Sequence, residues 1–381
     1  MPRSVYRIDD HTMMAEKRAE WTAFSKGCSL AAPFCHPGVW MSWLEAFAEY
    51  EPVIFELRDG SGLLALLPFY LEGTTLRPAT GPHIDYQDIA AVSDEAAVEL
   101  LVAVIQDAAG RGLMLTFDKV AEHSRLRVAI GDARVAELAS VQRRYWSLCP
   151  SALVEVHGPG RFLASLSSNR RRDYTVASRR IKEAFPDHVV EHRFGSEIDS
   201  ALLHEAAQLH RENQYRREGE SVFSDSRFTG FLEKQAAADA PVLLSMIRAR
   251  PGGEPMAFNL GYFAEDTYFY YITSYDGAFV SLSPGKRLFI ETLSYCADRV
   301  EHGRLRYDLL SGEENYKSRW ATTFYEVERI QVIPKRLCNL PRVAAYSALY
   351  TLKSAKNRLL KWKAGGERVA GLQHEPPVLA R

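Results

Sequence analysis

Two stretches of the chain bring together residue types that can do chemistry. The first is Phe279-Val-Ser-Leu-Ser-Pro-Gly-Lys-Arg-Leu-Phe-Ile-Glu291, where a Ser/Pro/Gly turn leads from a tyrosine-rich extended run, Tyr268-Phe-Tyr-Tyr-Ile-Thr273, into a helical pattern. The opening turn of a helix presents backbone N–H groups without intrahelical partners, together with the positive end of the helix dipole. Gly285 lets a ligand approach that backbone closely, and Lys286 and Arg287 add positive charge. Ser283, Pro284, Gly285, Lys286 and Arg287 can therefore hold a pyrophosphate, although the same turn also suits a plain helix cap. Neither G-x-x-x-x-G-K-[ST] nor G-x-G-x-x-G after a first strand is present, which excludes P-loop and Rossmann readings.

The second stretch is Arg306-Tyr-Asp-Leu-Leu-Ser-Gly-Glu-Glu-Asn-Tyr-Lys-Ser-Arg-Trp320. Asp308 interrupts an extended run of otherwise apolar alternation, and Gly312, Glu313, Glu314, Tyr316 and Lys317 follow its end. Carboxylates, a phenol and an ammonium at the C-terminal end of a strand, beside a helix N-terminus, are placed for proton transfer. Singly, each has a structural alternative: Asp308 can pair with an arginine such as Arg319, and Tyr316 and Trp320 can close a core. Cys296 falls mid-helix among apolar neighbours and reads as core. His36, His83 and His302 have no metal-ligand spacing. The five cysteines, Cys28, Cys35, Cys149, Cys296 and Cys338, are scattered without a C-x-x-C pair, so neither a metal centre nor a disulfide framework is expected.

The elements that carry these residues form a repeat. Pro52 to Arg58, a Gly60-Ser-Gly62 turn and Leu63 to Tyr70 read as a β-hairpin, as do Pro241 to Arg250, a Pro251-Gly-Gly-Glu254 turn and Pro255 to Tyr262, about 190 residues later. Each copy continues through another extended stretch into a helix, Asp94 to Ala109 and then Lys286 to Arg299. A glycine and a strand follow, Leu113 to Phe117 and Leu305 to Leu309. Two similar α/β domains with mixed sheets are expected, 1–150 and 151–338, joined near residues 150 to 165 and followed by a segment, 339–381. The join leads into a basic helix capped at Ser168-Asn169 and carrying Arg170, Arg171, Arg172, Arg179, Arg180 and Lys182. A further helix is expected from Glu197 to about Arg217.

Composition bounds the partners. The 381 residues are 46% hydrophobic and 25% charged, ordinary for a chain with a real core, and 47 Lys+Arg against 48 Asp+Glu leave a net charge of −1. That balance argues against a protein built to coat nucleic acid. The longest apolar run, Leu63 to Leu71, includes Pro68 and covers about half of the ~20 residues a membrane span needs. The N-terminal residues form no apolar stretch of signal-peptide length, and a cytosolic chain is expected.

Ser283-Pro-Gly-Lys286 opening a helix, followed about 20 residues later by Tyr307-Asp308-x-x-x-Gly312-x-x-x-Tyr316-Lys317-x-x-Trp320, resembles the acetyltransferase domain of the CelD/BioF2-like branch of the Gcn5-related N-acetyltransferase (GNAT) superfamily. That branch is similar to the FemAB peptidoglycan aminoacyl transferases, which carry two tandem domains of this fold. In the N-terminal half, Pro33-Phe-Cys-His-Pro-Gly38 before Trp40 to Phe47, and Asp85-Tyr86-x-Asp88 before a helix, resemble the first domain of the same family. The resemblance covers roughly residues 30 to 335 and implies tandem GNAT-like domains, the first degenerate.

It further implies an acyl-thioester donor, usually acyl-CoA, between two splayed strands, with its pyrophosphate on Ser283 to Arg287. The first domain starts its helix with Ala91-Val-Ser-Asp-Glu95, where carboxylates repel phosphate, so one donor site is expected, in the second domain. The loop departs from the Arg/Gln-x-x-Gly-x-Gly/Ala pattern of standard members, and FemAB relatives use aminoacyl-tRNA instead. The expected mechanism is direct attack by an amine, with Asp308 or Glu313 accepting its proton, Tyr316 protonating the leaving thiolate and Lys317 orienting the carboxylate or contacting substrate. The acceptor is expected between the domains against His83, Asp85, Tyr86 and Asp88, with Tyr275 and Arg170 as further contacts.

A last helix, Pro341 to about Lys363, has an apolar stripe of Ala345, Ala348, Leu352, Ala355, Leu359 and Trp362. Its remaining faces carry Lys353, Lys356, Arg358, Lys361 and Lys363. It suits an anionic membrane surface or its own domain. The sequence thus points to an acyl-CoA-dependent N-acyltransferase, with no metal, acting on an envelope amino sugar or a long-chain amino alcohol, in the cytoplasm or peripherally at the inner membrane. Its rivals are aminoacyl-tRNA-dependent transfer and an inactive nucleotide-binding regulatory module.

Overall fold

The glycine turns fold the chain back on itself as their chemistry dictates. A computed structural model describes residues 2–26, 28, 33–216, 219–238, 240–312, 315–335 and 341. The first half runs β1 (Ser4–Ile8), α1 (His11–Ser25), α2 (Pro37–Ala46), β2 (Glu51–Asp59), β3 (Gly62–Glu72), β4 (Thr75–Pro78), β5 (Ala90–Ala91), α3 (Asp94–Arg111), β6 (Met114–Ala121), α4 (Arg125–Ile130), α5 (Ala133–Leu138) and β7 (Ala139–Glu155). Two helices, α6 (Phe162–Ser165) and α7 (Ser168–Ala184), lead into β8 (Val189–Phe194), α8 (Ser200–Arg216), α9 (Ser226–Ala237), β9 (Val242–Arg248), β10 (Pro255–Ala264) and β11 (Thr267–Tyr275). The chain continues through α10 (Pro284–Ala297), β12 (Arg304–Asp308), α11 (Asn315–Trp320) and β13 (Thr323–Pro334). The expected last helix, to Lys363, lies outside the described residues apart from Pro341.

Each half repeats one plan. β2 with β3 and β9 with β10 are antiparallel hairpins, and α3 and α10 each cross over to a parallel strand, β4 to β6 and β11 to β12. Ser93 caps α3 by accepting the Ala96 N–H at 3.2 Å, and Gly112, at φ 71, ends it in the left-handed conformation that glycine adopts at no steric cost.

The last strands of the two halves change places. The sheet order is β1-β2-β3-β4-β6-β13-β7-β12-β11-β10-β9-β8, so β13 completes the first half and β7 the second. The two pair antiparallel from Pro334↔Ala139 to Thr323↔Ser151. Residue 150, the expected boundary, falls inside β7.

Helix α3 covers one face of the first half and α10 one face of the second. The other faces share a single core. Helix α2 is buried from Pro37 to Leu44, apolar but for Ser42, whose hydroxyl donates to the Gly38 carbonyl, and packs against α9. Trp21, Trp40, Trp43, Phe228 and Phe231 fill this layer, with Trp21 and Trp40 ring centroids 5.3 Å apart. It brings the loop after β4 against the end of β12.

Candidate active site

β11 and β12 pair only over Thr267–Phe269 and Arg306–Asp308. Beyond that they part. β11 runs on to Tyr275, whereas the chain leaves β12 through Leu310 at φ 57 and Gly312 at φ 141. Within β11 the register against β10 slips, with Leu260 opposite Ile272 and Gly261 opposite Tyr270, so Tyr271 is the extra residue of a bulge. A bulge takes backbone groups out of the ladder and re-aims them.

The expected phosphate loop stands at the far end of β11. Ser283 adopts φ 56, Pro284 opens α10, and no side chain caps the helix N-terminus. A Cβ built on Gly285 would meet only the Tyr275 ring, at 3.9 Å, so the fold itself does not demand glycine there. Lys286 is exposed, 3.9 Å from Asp173. Arg287 turns instead toward α7. Its Nε donates to Glu291 at 3.3 Å, its Nη1 lies 2.7 Å from His188 Nε2, and Glu291 also accepts the Tyr174 hydroxyl at 2.7 Å. Tyr275 borders the loop.

Asp308 ends β12 on the opposite face of the sheet, 3% exposed. Its Oδ1 accepts the Tyr86 hydroxyl and the Leu310 N–H, each at 2.8 Å, and its Oδ2 accepts the Tyr325 hydroxyl. The two hydroxyls are 2.5 Å apart. Burial pushes the Asp308 carboxyl up to about 6, while the tyrosines and the Leu310 N–H hold it down. Burial likewise raises Tyr86, Tyr325 and the buried Cys149 thiol. The His123 ring stands edge-on to Tyr325 with centroids 4.7 Å apart, and burial lowers its pKa. A cavity of about 540 Å³ opens over this cluster, lined from the first half by Tyr86 and His123, from the second by Phe269, Arg306 and Asp308, and by Tyr325 of β13.

The remaining expected residues divide. Asp85, buried beside the cluster, accepts Ser311 Oγ at 2.9 Å and lies 3.0 Å from Lys119 Nζ. Lys317 is buried and donates to the Ser311 carbonyl at 2.9 Å. Tyr316 is 44% exposed on α11, and Glu313 and Glu314 lie outside the described residues. Asp88 borders the cavity, but its oxygens take up the Ile89, Leu126 and Arg125 N–H groups at 2.8, 2.7 and 3.3 Å, which fixes the start of α4. His83 Nδ1 accepts the Trp43 indole N–H at 3.0 Å, which puts any single ring proton on Nε2. Its ring stacks on Phe47 at 4.8 Å and burial lowers its pKa. Arg170 lies against the α10 layer, its guanidinium 4.6 Å from the Trp320 ring centre and 2.7 Å from the Arg319 carbonyl.

Tyr325, Lys119, Ser311 and Cys149 do not stand out in the sequence. Tyr325 follows the Trp320 motif by five positions inside an alternating strand, a weak signal, and only the strand exchange carries it to Asp308. Among the described residues no group of three or more His, Cys, Asp or Glu side chains is placed to hold a metal ion. No helix among them is long and apolar enough to cross a membrane.

A mixed sheet of two repeated α/β halves, with a Ser-Pro-Gly turn opening the helix between two parting strands, defines a tandem GNAT-like fold. Residues 168–318 match the acetyltransferase (GNAT) domain family. Those residues accordingly form a GNAT-type acetyltransferase domain, and the protein is an acyltransferase.

Most of the chain is similar to solved structures. FemX matches with a TM-score of 0.64 at 12% identity, over 91% of this chain and 100% of that one. The C-terminal domain of a putative lysylphosphatidylglycerol synthetase from Agrobacterium fabrum matches with a TM-score of 0.55 at 11% identity, over 90% and 96%. A conserved protein of unknown function from Bacteroides thetaiotaomicron also reaches 0.55, at 14% identity, over 87% and 100%. At these identities the likeness is one of fold. No curated protein sequence matches the chain significantly.

Proposed function

We propose that the protein transfers an acyl group from acyl-CoA to an amine of a cell-envelope acceptor, with the donor entering between β11 and β12 and the acceptor approaching from the cavity between the halves. The observation that carries this reading is Asp308: a buried carboxylate with a raised pKa, at the floor of a cavity and at the point where the two strands part. In the reaction the amine nitrogen attacks the thioester carbonyl, the C–S bond breaks, Asp308 takes the amine proton directly or through water, and the thiolate is protonated by Tyr316. Backbone N–H groups freed at the Tyr271 bulge would face the developing oxyanion. Ser283, Pro284, Gly285 and Lys286 would bind the pyrophosphate, for which the open space over Gly285 leaves room. Arg287 would brace the loop through Glu291 and His188. Glu313 is the alternative base.

Aromatic and apolar walls, Phe269, Phe324 and Tyr325, suit an acceptor with a substantial apolar body, such as a long-chain amino alcohol, alongside the amino-sugar reading. The cationic segment 341–363 supports contact with an anionic membrane on sequence grounds alone. The test is CoA release from acyl-CoA with a panel of amino sugars and amino alcohols. Asp308→Asn should abolish turnover, and Tyr316→Phe and Lys317→Ala should slow it. Full turnover in all three folded variants would overturn the placement.

A further inference from the structure

One oxygen atom, Asp85 Oδ1, takes a contact from each half. By the register of the parallel pairs, Thr75↔Met114 and Thr267↔Arg306, Lys119 and Ser311 hold equivalent places, each five residues beyond the first paired residue of its strand. Both reach Asp85 Oδ1: Lys119 Nζ at 3.0 Å and Ser311 Oγ at 2.9 Å. The Ser311 carbonyl is held from the other side by Lys317 Nζ at 2.9 Å. Asp85 and Lys317 are each 6% exposed, so these contacts are shielded from water.

The backbone needs such support. Leu310, between Asp308 and Ser311, has φ 57, and Lys119 has φ 53 as the extra residue where β6 pairs with β13. A left-handed conformation is strained for a non-glycine residue and persists where its surroundings over-determine it. Here the Leu310 N–H is fixed on Asp308 while the next side chain is fixed on Asp85.

We propose that Asp85 is a positioning residue which, together with Lys119, clamps Ser311 and thereby sets the end of β12, including the direction of Asp308 and the wall of the donor slot. The first half has no phosphate loop of its own, and this clamp gives it a part in the chemistry of the second. That part rests on the acyltransfer reading above; the clamp itself does not.

The groups that bear on Asp308 are Tyr86, Tyr325, Cys149, the Leu310 N–H and Asp85, with Lys119 and Lys317 beyond Asp85 and Ser311. A charged Asp85 disfavours ionisation of Asp308, and Lys119 balances that charge. Replacing one or the other must therefore move Asp308 in opposite directions.

The experiment is a 13C-carboxyl NMR titration of Asp308 in the full chain, with the Leu310 and Ser311 amide resonances followed in the same samples. Asp85→Asn should lower the Asp308 midpoint, Lys119→Met should raise it, Lys119→Arg should restore it, and both amides should shift in Asp85→Asn and Ser311→Ala. In acyl-CoA turnover, Asp85→Asn and Ser311→Ala should each cut kcat roughly ten-fold or more. The double variant should be no slower than the slower single one. Unmoved amides, midpoints shifting in one direction for both charge changes, or additive losses of kcat would overturn the proposal. If the wild type turns over no thioester, the acyltransfer reading fails and the titration still decides the clamp. Lys119→Met and Ser311→Ala carry the test should Asp85→Asn not fold.

Discussion

Tyr86 donates a 2.8 Å hydrogen bond to the Asp308 carboxylate across 222 residues of sequence, so the end of β12 in one half is completed by a loop of the other. With Tyr325 it keeps a fully buried carboxylate ionisable near neutrality. If Asp308 is the base, acyl transfer should rise with pH through about 6 and level off above it, since only the carboxylate accepts a proton. A pH profile of kcat/KM measures this; a flat profile between pH 5 and 8 would remove Asp308 from the role.

Removing either hydroxyl should shift that limb. Tyr86 and Tyr325 both favour the ionised form, so Tyr86→Phe and Tyr325→Phe should each move the acid limb above the wild-type midpoint. The variants should bind donor unchanged. A downward shift in either would contradict the assigned hydrogen bonds.

Stability should show the cost of that carboxylate. In the folded chain Asp308 holds its proton to about 6, above its ordinary value of 3.8, so the folded state binds more protons between those limits. Its contribution is fully present below about 4 and is lost as pH rises through 6. Asp88, also pushed up to about 6 by burial, acts in the same direction. Asp308→Asn should therefore be inactive yet more stable than wild type at pH 8, on the order of 1–3 kcal/mol, by urea unfolding. Equal or lower stability at pH 8 would contradict this.

Asp88 should behave differently from Asp308. Its three backbone N–H partners make it a fixture of the α4 start, and Asp88→Ala should destabilise by about 1–3 kcal/mol while leaving the pH midpoint of turnover in place. A variant of normal stability with a weakened acceptor KM would return Asp88 to substrate binding.

Much of the fold is legible in the sequence because its signals are local. The Gly60-Ser-Gly62 and Pro251-Gly-Gly-Glu254 turns set the hairpins, and Ser93 and Gly112 delimit α3. Asp308 stands out because a carboxylate in an apolar strand needs partners. Those partners could not be read: Tyr325 reaches it only through the exchange of β7 and β13, a non-local pairing without a local signature, and Tyr86 only through the packing that sets the loop after β4 against the end of β12. Packing partners are equally non-local: the guanidinium of Arg170, expected as an acceptor contact, stacks on Trp320, and that of Arg287, expected on the pyrophosphate, braces α7 against α10. His83 reads as a cleft residue, and its flat ring is spent on Phe47 and Trp43.

The most direct test of acyl-CoA as donor is calorimetric titration of the wild type with acetyl-CoA and palmitoyl-CoA, with free CoA as control, repeated on Gly285→Ala and Gly285→Glu. With only the Tyr275 ring near a Cβ at this position, both variants should fold as the wild type does. One thioester should bind the wild type, and the added carboxylate of Gly285→Glu should weaken it at least ten-fold by repelling the pyrophosphate. No binding of any CoA species, or equal binding by wild type and Gly285→Glu, would contradict the donor site.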